Sequence, residues 1–207
     1  MSTEAILIYG NTCAGKSTLG KIIEVQTGIP YLSFGDLKRG VIQKGTAVGL
    51  RVAIQSEAGL PMNPQDAWSI VQPHLSHPIF QLSGFPISSA ELGLLLQHSR
   101  ITGVIFLKLE EDVVRRRYHS RAVCPQCLSP GILGGMCTKH RQALEIREDT
   151  NDQEMTRRLN LNRRIESFLG ESQIILSYPS LVLDGTLPVD SCASKALDWL
   201  GPLIRGT

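Results

Sequence analysis

The sequence predicts an α/β fold of three layers, in which a parallel sheet lies between two layers of helices. The first observation is that short apolar runs, at residues 5–9, 79–82, 104–109 and 181–183, alternate with segments of helical periodicity. Strands that alternate with helices form a parallel sheet covered on both faces. The second observation is the length of 207 residues, which suits one core with smaller insertions.

The composition excludes several classes of protein. Hydrophobic residues make up 42% and charged residues 19% of the chain, which is typical of a globular protein rather than a disordered one. The 21 basic and 19 acidic residues leave a net charge of only +2, so we expect no nucleic acid partner and no membrane partner. No apolar run reaches the length of a bilayer span, and no secretion signal opens the chain. We expect a cytoplasmic protein, and we expect a monomer.

The first apolar run ends in a glycine-rich segment, GNTCAGKS at residues 10–17, which matches the Walker A pattern. It lies between a predicted strand and a helix-like stretch at residues 16–26, which is the context that the motif requires. Backbone N–H groups of such a loop wrap phosphates, Lys16 meets the outer phosphates and Ser17 holds Mg²⁺. The motif predicts nucleotide binding but leaves open whether the chain is a kinase or an NTPase switch. The candidate ATP-binding residues here are Gly10, Asn11, Thr12, Cys13, Ala14, Gly15, Lys16, Ser17 and Thr18.

Two stretches interrupt the alternation of strands and helices. Residues 36–75 have the pattern of consecutive short helices with no strand, and residues 124–147 are rich in glycine, cysteine and basic residues. Between the two, a strand, a turn and a helix are predicted at residues 79–97, because Ser88 and Glu91 have the spacing of a capping box. We interpret the two stretches as insertions into one core.

Three of the five cysteines are clustered in the second insertion. Cys124 and Cys127 form a C-x2-C pair, and Cys137 and His140 form a C-x2-H pair. Two such knuckles offer four ligands in a closed tetrahedron, which is the arrangement of a structural Zn²⁺. An insertion of this size buries little apolar surface, so a metal would stabilise it. The alternative is a set of unrelated free thiols, as we expect for the two remaining cysteines.

Together these segments resemble the adenylate kinase and nucleoside monophosphate kinase family, and the resemblance covers nearly the whole chain. Beyond the Walker A loop it rests on segments similar to family motifs: residues 32–39 (S-T-G-D-x-x-R), 58–62 (G-x-L-V), 83–87 (D-G-F-P-R), 117–121 at the start of a lid, 147–149 with 158–159 (R-x-D-D and R-L), and 183–186 (V-D-G-T). The resemblance implies a single domain over residues 1–207. It consists of a P-loop core (1–35, 76–121 and 149–207), a helical acceptor-binding insertion (36–75) and a zinc-binding lid (122–148).

The resemblance also implies roles for the residues that match the motifs. Lys16, Arg121, Arg147 and Arg158 would converge on the transferring phosphoryl group, where positive charge stabilises the transition state. Arg117, against the donor base, and Arg121 join the ATP-binding residues. The alternative for the arginines is a solvated basic face on two helices. The acceptor-binding residues that the resemblance implies are Ser33, Phe34, Asp36, Arg39, Met62, Gly84, Glu91, Arg147 and Arg158.

The acceptor side departs from the family's pattern. Ser83 and Ile87 replace the aspartate and the arginine of D-G-F-P-R, Phe34 replaces a small hydroxyl residue, and Glu91 replaces a glutamine that reads the acceptor adenine. A carboxylate has no N–H to donate, and the loss of one partner of a buried charged pair weakens binding by about thirtyfold or more. We therefore expect AMP to be a poor acceptor. We expect Lys38 to face solvent rather than to replace the missing arginine.

The sequence thus predicts Mg²⁺-dependent transfer of the γ-phosphoryl group of ATP to a small-molecule acceptor, namely a nucleoside monophosphate. Two alternatives stay open: a kinase for a different small metabolite, and an ATP-binding regulatory protein that lacks turnover. The full set of arginines favours an enzyme, because binding alone does not require it.

Overall fold

A five-stranded parallel sheet forms the centre of the computed structural model, which describes residues 3–58, 60–127, 130–146 and 151–205. Its strands are β1 (Thr3–Gly10), β2 (Tyr31–Ser33), β3 (Ile79–Ser83), β4 (Ser99–Lys108) and β8 (Ser180–Asp184), in the spatial order β2-β3-β1-β4-β8. The helices are α1 (Lys16–Thr27), α2 (Phe34–Gln43), α3 (Ala47–Glu57), α4 (Pro64–Val71), α5 (Ser89–Leu96), α6 (Glu111–His119), α7 (Asp152–Glu171), α8 (Ile174–Ser177) and α9 (Val189–Arg205). A short 3-10 helix, Gln72–His74, follows α4.

Strand β1 divides the core into two apolar layers, because successive side chains of a strand point to opposite faces. Ile6 and Ile8 join the layer that α1 and α9 cover. Leu7 and Tyr9 join the layer that α4, α5 and the C-terminal half of α7 cover. The α/β fold with a parallel sheet between helices is therefore confirmed.

The sequence located most of these elements, with differences at short or half-buried ones. Strand β4 begins at Ser99, five residues before the predicted run at 104. Strand β2 was not predicted, because its three residues are all half-buried and carry no alternation. Ser88 caps α5 as predicted, since its hydroxyl accepts the N–H of Glu91.

The helical stretch between β2 and β3 contains α2, α3, α4 and the 3-10 helix, and no strand among its described residues. Each of the three α-helices begins with a polar cap that accepts a backbone N–H: Ser33, Thr46 and Asn63. Helix α2 begins at Phe34, two residues before the stretch that the sequence predicted.

Between α6 and α7 the chain forms a second, smaller sheet that the sequence did not predict. Its strands are β5 (Arg121–Val123), β6 (Pro130–Ile132) and β7 (Glu145–Ile146), and β5 pairs with both neighbours in antiparallel orientation. These strands are two or three residues long, too short for a periodic pattern. Across the described ranges, no helix has the length and apolar character needed to cross a membrane.

Candidate functional site

The phosphate loop connects β1 to α1 at the carboxyl end of the central strand. The chain places β2 and β3 on one side of β1 and β4 and β8 on the other, so the order of the strands reverses at β1. Ligands of α/β sheets bind at such a switch point. Gly10 and Gly15 both have left-handed φ values, +142° and +94°, and a Cβ on Gly10 would overlap the carbonyl oxygen of Leu107. Cys13 also has a positive φ of 63°, an unusual conformation for a residue other than glycine. The Lys16 ammonium donates to the carbonyl oxygens of Gly10 and Asn11, each at 2.8 Å.

Three predicted catalytic cations lie close together at this loop. Burial lowers the pKa of Lys16 to about 8; the Cys13 thiol opposes this shift, while the nearby Arg121 and Arg158 reinforce it. A cluster of like charges beside a glycine-rich loop is a site for an anion with several negative charges. Arg147, the fourth predicted cation, lies outside the described residues.

Arg117 connects three parts of the donor side. From α6, its guanidinium donates to the carbonyl oxygen of Gly185 at 2.7 Å and to that of Cys13 at 3.4 Å. Gly185 follows β8 and comes close to the backbone of Lys108, so the predicted V-D-G-T segment lies beside the phosphate loop. The segment is held by an Asx turn, in which Asp184 accepts the N–H of Thr186 at 2.8 Å.

Two residues of α7 that the sequence did not single out, Asn162 and Glu166, contact the phosphate loop. Oδ1 of Asn162 accepts the backbone N–H of Thr12 at 3.0 Å and its hydroxyl at 3.2 Å. Glu166 accepts the side-chain N–H of Asn11 at 3.1 Å. The N–H of Thr12 is therefore already donated within the chain. The available sequence signal was the spacing, since Asn162 follows the predicted catalytic Arg158 by one helical turn.

Ser17, the predicted Mg²⁺ ligand, belongs to a set of three hydroxyls. The phenol oxygen of Tyr31 lies 2.6 Å from Oγ of Ser83 and 3.3 Å from Oγ of Ser17. Burial raises the pKa of Tyr31, so the phenol stays neutral at physiological pH. A Cβ on Gly20 would overlap the Tyr31 ring, so the glycine makes room for it. These oxygen donors fit a hard cation such as Mg²⁺, although they carry no charge themselves.

The predicted acceptor residues form a surface that is more apolar than the donor side. Phe34 packs on Phe85 with ring centroids 5.8 Å apart, and Met62 and Ile87 pack against the same cluster. Glu91 is 4% exposed and accepts the N–H of Ile87 at 2.6 Å. Burial raises the pKa of this carboxyl group.

The polar acceptor residues lie near the start of α2. Ser33 caps the helix, Asp36 pairs with Arg39, and Gly84 takes a φ of +76° in the turn after β3. Arg39 therefore has a carboxylate partner on its own helix, which competes with any bound anion.

Lys38 does not face solvent, so that expectation was wrong. Its side chain is half-buried, and its ammonium lies 3.5 Å from Oγ of Ser56. Burial lowers the pKa of Lys38, the nearby Glu154 opposes this shift, and Arg158 reinforces it. The ammonium thus contacts α3 and lies within range of the charges of α7, on the side of the cleft where Arg158 is found.

The four predicted metal ligands converge in the smaller sheet. Ligand atoms of Cys124, Cys127, Cys137 and His140 all lie within 4.8 Å of one another. Sγ of Cys127 is 3.7 Å from Sγ of Cys137, and Nδ1 of His140 is 3.5 Å and 3.7 Å from the sulfurs of Cys124 and Cys137. A Zn²⁺ tetrahedron with ligand distances of about 2.0 to 2.3 Å has edges of about 3.5 to 3.8 Å. Three thiols and one imidazole at these separations fit a closed zinc site.

Comparisons with known proteins identify relatives along nearly the full length of the chain. No protein-family model matches it. It is 30% identical over 173 residues to the adenylate kinase of a Geobacillus species, which covers 76% of this chain and 80% of that protein. It is 27% identical to the adenylate kinase of Thermotoga neapolitana, over 95% of this chain and 96% of that protein. It is 28% identical to the adenylate kinase of Kosmotoga olearia, over 92% and 95% of the two chains.

Proposed function

This chain belongs to the adenylate kinase family, and from that premise we propose how its residues carry out ATP-dependent phosphoryl transfer to a nucleoside monophosphate. The observation that supports the assignment of roles is the convergence of Lys16, Arg121 and Arg158 beside the phosphate loop. Such a group of cations stabilises the charge that spreads over the migrating phosphoryl group. A protein that only bound ATP would not need two arginines in addition to Lys16 around the phosphoryl group that is transferred.

On the donor side, the loop residues Gly10 to Thr18 hold the ATP phosphates and Arg117 lies against the base. Ser17 would hold Mg²⁺, which neutralises phosphate charge when it is bound with ATP. Arg121 begins β5, immediately before the proposed lid, residues 122–148, so closure of the lid would cover the place where Arg121 lies near Lys16. Closure also excludes water, which limits hydrolysis of ATP. Arg147 stays a predicted member of this set.

On the acceptor side, we propose that residues 36–75 bind the nucleoside monophosphate together with the segment after β3. The proposed contacts are Ser33, Phe34, Asp36, Arg39, Met62, Gly84, Glu91, Arg147 and Arg158. To these we add Lys38, because its half-buried ammonium lies on the same side of the cleft as Arg158. A lysine is a point charge and not a two-pronged donor, so it replaces the missing arginine only in part. AMP is accordingly a weak acceptor.

The decisive experiment is a coupled ADP-release assay with saturating MgATP and each nucleoside monophosphate in turn. We expect turnover with at least one of them and none above background with the Lys16→Ala protein. Turnover with none of them, or only with other phosphorylated or hydroxylated metabolites, would overturn the proposed acceptor class. A monomer in the cytoplasm stays a prediction, and light scattering coupled to gel filtration checks the oligomeric state.

For the lid, we propose one structural Zn²⁺ per chain, held by Cys124, Cys127, Cys137 and His140. Metal analysis of freshly purified, reduced protein should find one equivalent of zinc. Cys127→Ser should lose it, whereas Cys192→Ser, which changes a buried thiol outside the cluster, should keep it. Zinc in neither protein would remove the proposal.

A further inference from the structure

One face of α7 runs along the phosphate loop. Arg158, Asn162 and Glu166 follow one another at intervals of four residues, so they lie on the same side of the helix. Asn162 binds Thr12 and Glu166 binds Asn11, while Arg158 lies near enough to Lys16 for its charge to lower the pKa of that lysine. Hydrogen bonds thus hold α7, which carries the proposed catalytic Arg158, against the loop that carries Lys16.

The two hydrogen-bonded contacts between α7 and the phosphate loop differ in how exposed the side chain from α7 is. Glu166 is exposed and accepts a single hydrogen bond from the buried Asn11, and water can compete for its carboxylate. Asn162 is 6% exposed, and its Oδ1 accepts two hydrogen bonds from Thr12. The loss of Asn162 would leave both polar hydrogens of Thr12 without this acceptor, so the Asn162 contact is the one that fixes the distance between helix and loop.

The orientation of the Asn162 amide follows from its partner. The backbone N–H of Thr12 can only donate, so the atom that faces it is the oxygen. Nδ2 is then a buried donor with no partner among the described residues. An unpartnered buried donor destabilises the fold, so packing alone does not favour asparagine here. The useful atom is the acceptor oxygen.

We propose that Asn162 is a positioning residue, which holds α7 against the phosphate loop and so sets the position of Arg158 relative to Lys16. This rests on the proposed roles of those two cations in phosphoryl transfer. A displacement of about 1 Å in such a group costs on the order of a hundredfold in rate. Binding of ATP depends on the rest of the loop and is affected less.

The test compares three variants on one helix. Asn162→Leu keeps the volume and removes the acceptor, Asn162→Asp keeps an acceptor oxygen, and Asn160→Leu changes an exposed asparagine one half-turn away. We expect kcat to fall by roughly ten- to a hundredfold in Asn162→Leu, with the Kd for ATP changed by less than about threefold. Asn160→Leu should stay within about threefold of the unmodified protein in kcat, whereas Asn162→Asp, which adds a negative charge beside the phosphate site, should raise the Kd for ATP more than it lowers kcat.

A double-mutant cycle with Arg158→Ala separates positioning from general structural damage. If Asn162 acts through Arg158, then Asn162→Leu changes kcat by less than about threefold once Arg158 is absent. Losses that multiply in the double variant would overturn the proposal. If Asn162→Leu does not fold, Asn162→Ala goes through the same cycle.

The same variants distinguish a failure of the positioning role of Asn162 from a failure of the proposed catalytic role of Arg158. An Arg158→Ala protein with unchanged kcat would refute the role of Arg158, whatever Asn162 does. A large loss in Arg158→Ala with no loss in any Asn162 variant would refute the positioning role alone.

Discussion

The donor side and the acceptor side of the cleft differ in the charge and polarity of their side chains. The donor side brings together Lys16, Arg121 and Arg158 around a loop of backbone donors. The acceptor side places the apolar side chains of Phe34 and Ile87 in the cluster around Phe85. One half of the site is therefore suited to a highly charged phosphate chain, and the other offers less charge to its ligand.

The difference teaches how each half depends on the fold. The phosphate loop is one continuous segment between β1 and α1, and its backbone N–H groups are the expected phosphate ligands. The acceptor site draws side chains from the start of α2, the turn after β3 and the start of α5. A replacement in any one of them changes which ligand fits.

The largest expected effect is on the donor side. Lys16→Ala removes the cation that lies within the phosphate loop, so kcat/KM for ATP should fall by roughly a thousandfold. Steady-state kinetics measures it. Lys21→Ala removes an exposed lysine from the same helix and should leave kcat/KM unchanged. Equal losses in the two variants would contradict a special role for Lys16.

The next prediction concerns a double variant that adds a positive charge and an amide to the acceptor side. Ile87→Arg combined with Glu91→Gln restores a charge and an amide, so kcat/KM for AMP should rise by about thirtyfold, the equivalent of about 2 kcal/mol. Glutamine keeps an oxygen that accepts the N–H of Ile87, so the turn should survive. The KM for ATP is the internal control and should not change. If the unmodified protein already uses AMP at a kcat/KM of about 10⁶ M⁻¹s⁻¹ or more, the comparison fails.

A third prediction uses pH to probe the donor cations. With a pKa of about 8, Lys16 of the free protein loses its charge as pH rises through that value. Bound phosphates favour the charged form, so the loss appears in kcat/KM for ATP and not in kcat. At pH 9, one unit above the pKa, kcat/KM should be about tenfold lower than at pH 7. A flat profile from pH 7 to pH 9.5 would contradict the lowered pKa.

The smallest effect concerns Lys38. Lys38→Ala should raise the KM for the best acceptor by about fivefold, the equivalent of about 1 kcal/mol, with the KM for ATP unchanged. Lys44→Ala, an exposed lysine just after α2, is the matched control. If both variants behave alike, Lys38 does not belong to the acceptor site.

The features that the sequence predicted are those encoded in adjacent residues. The Walker A loop with its strand and helix, and the two metal-binding knuckles, each depend on spacing within one segment. Asn162 could not be found in this way, because its partner Thr12 lies 150 residues away in the chain. Lys38 was misplaced because the residue that it contacts, Ser56, lies on the next helix, α3, and most of the charges that act on it lie on α7, more than a hundred residues later. Contacts of that kind arise from the fold and leave no local pattern.

Gly20 and Tyr31 constrain the order in which this chain can evolve. Because a methyl group at position 20 would overlap the Tyr31 ring, a mutation there is harmful while the ring is present. The reverse order is open, since a smaller residue at position 31 leaves only a cavity. Once position 20 has gained a side chain, a tyrosine fits at position 31 only after glycine returns at position 20.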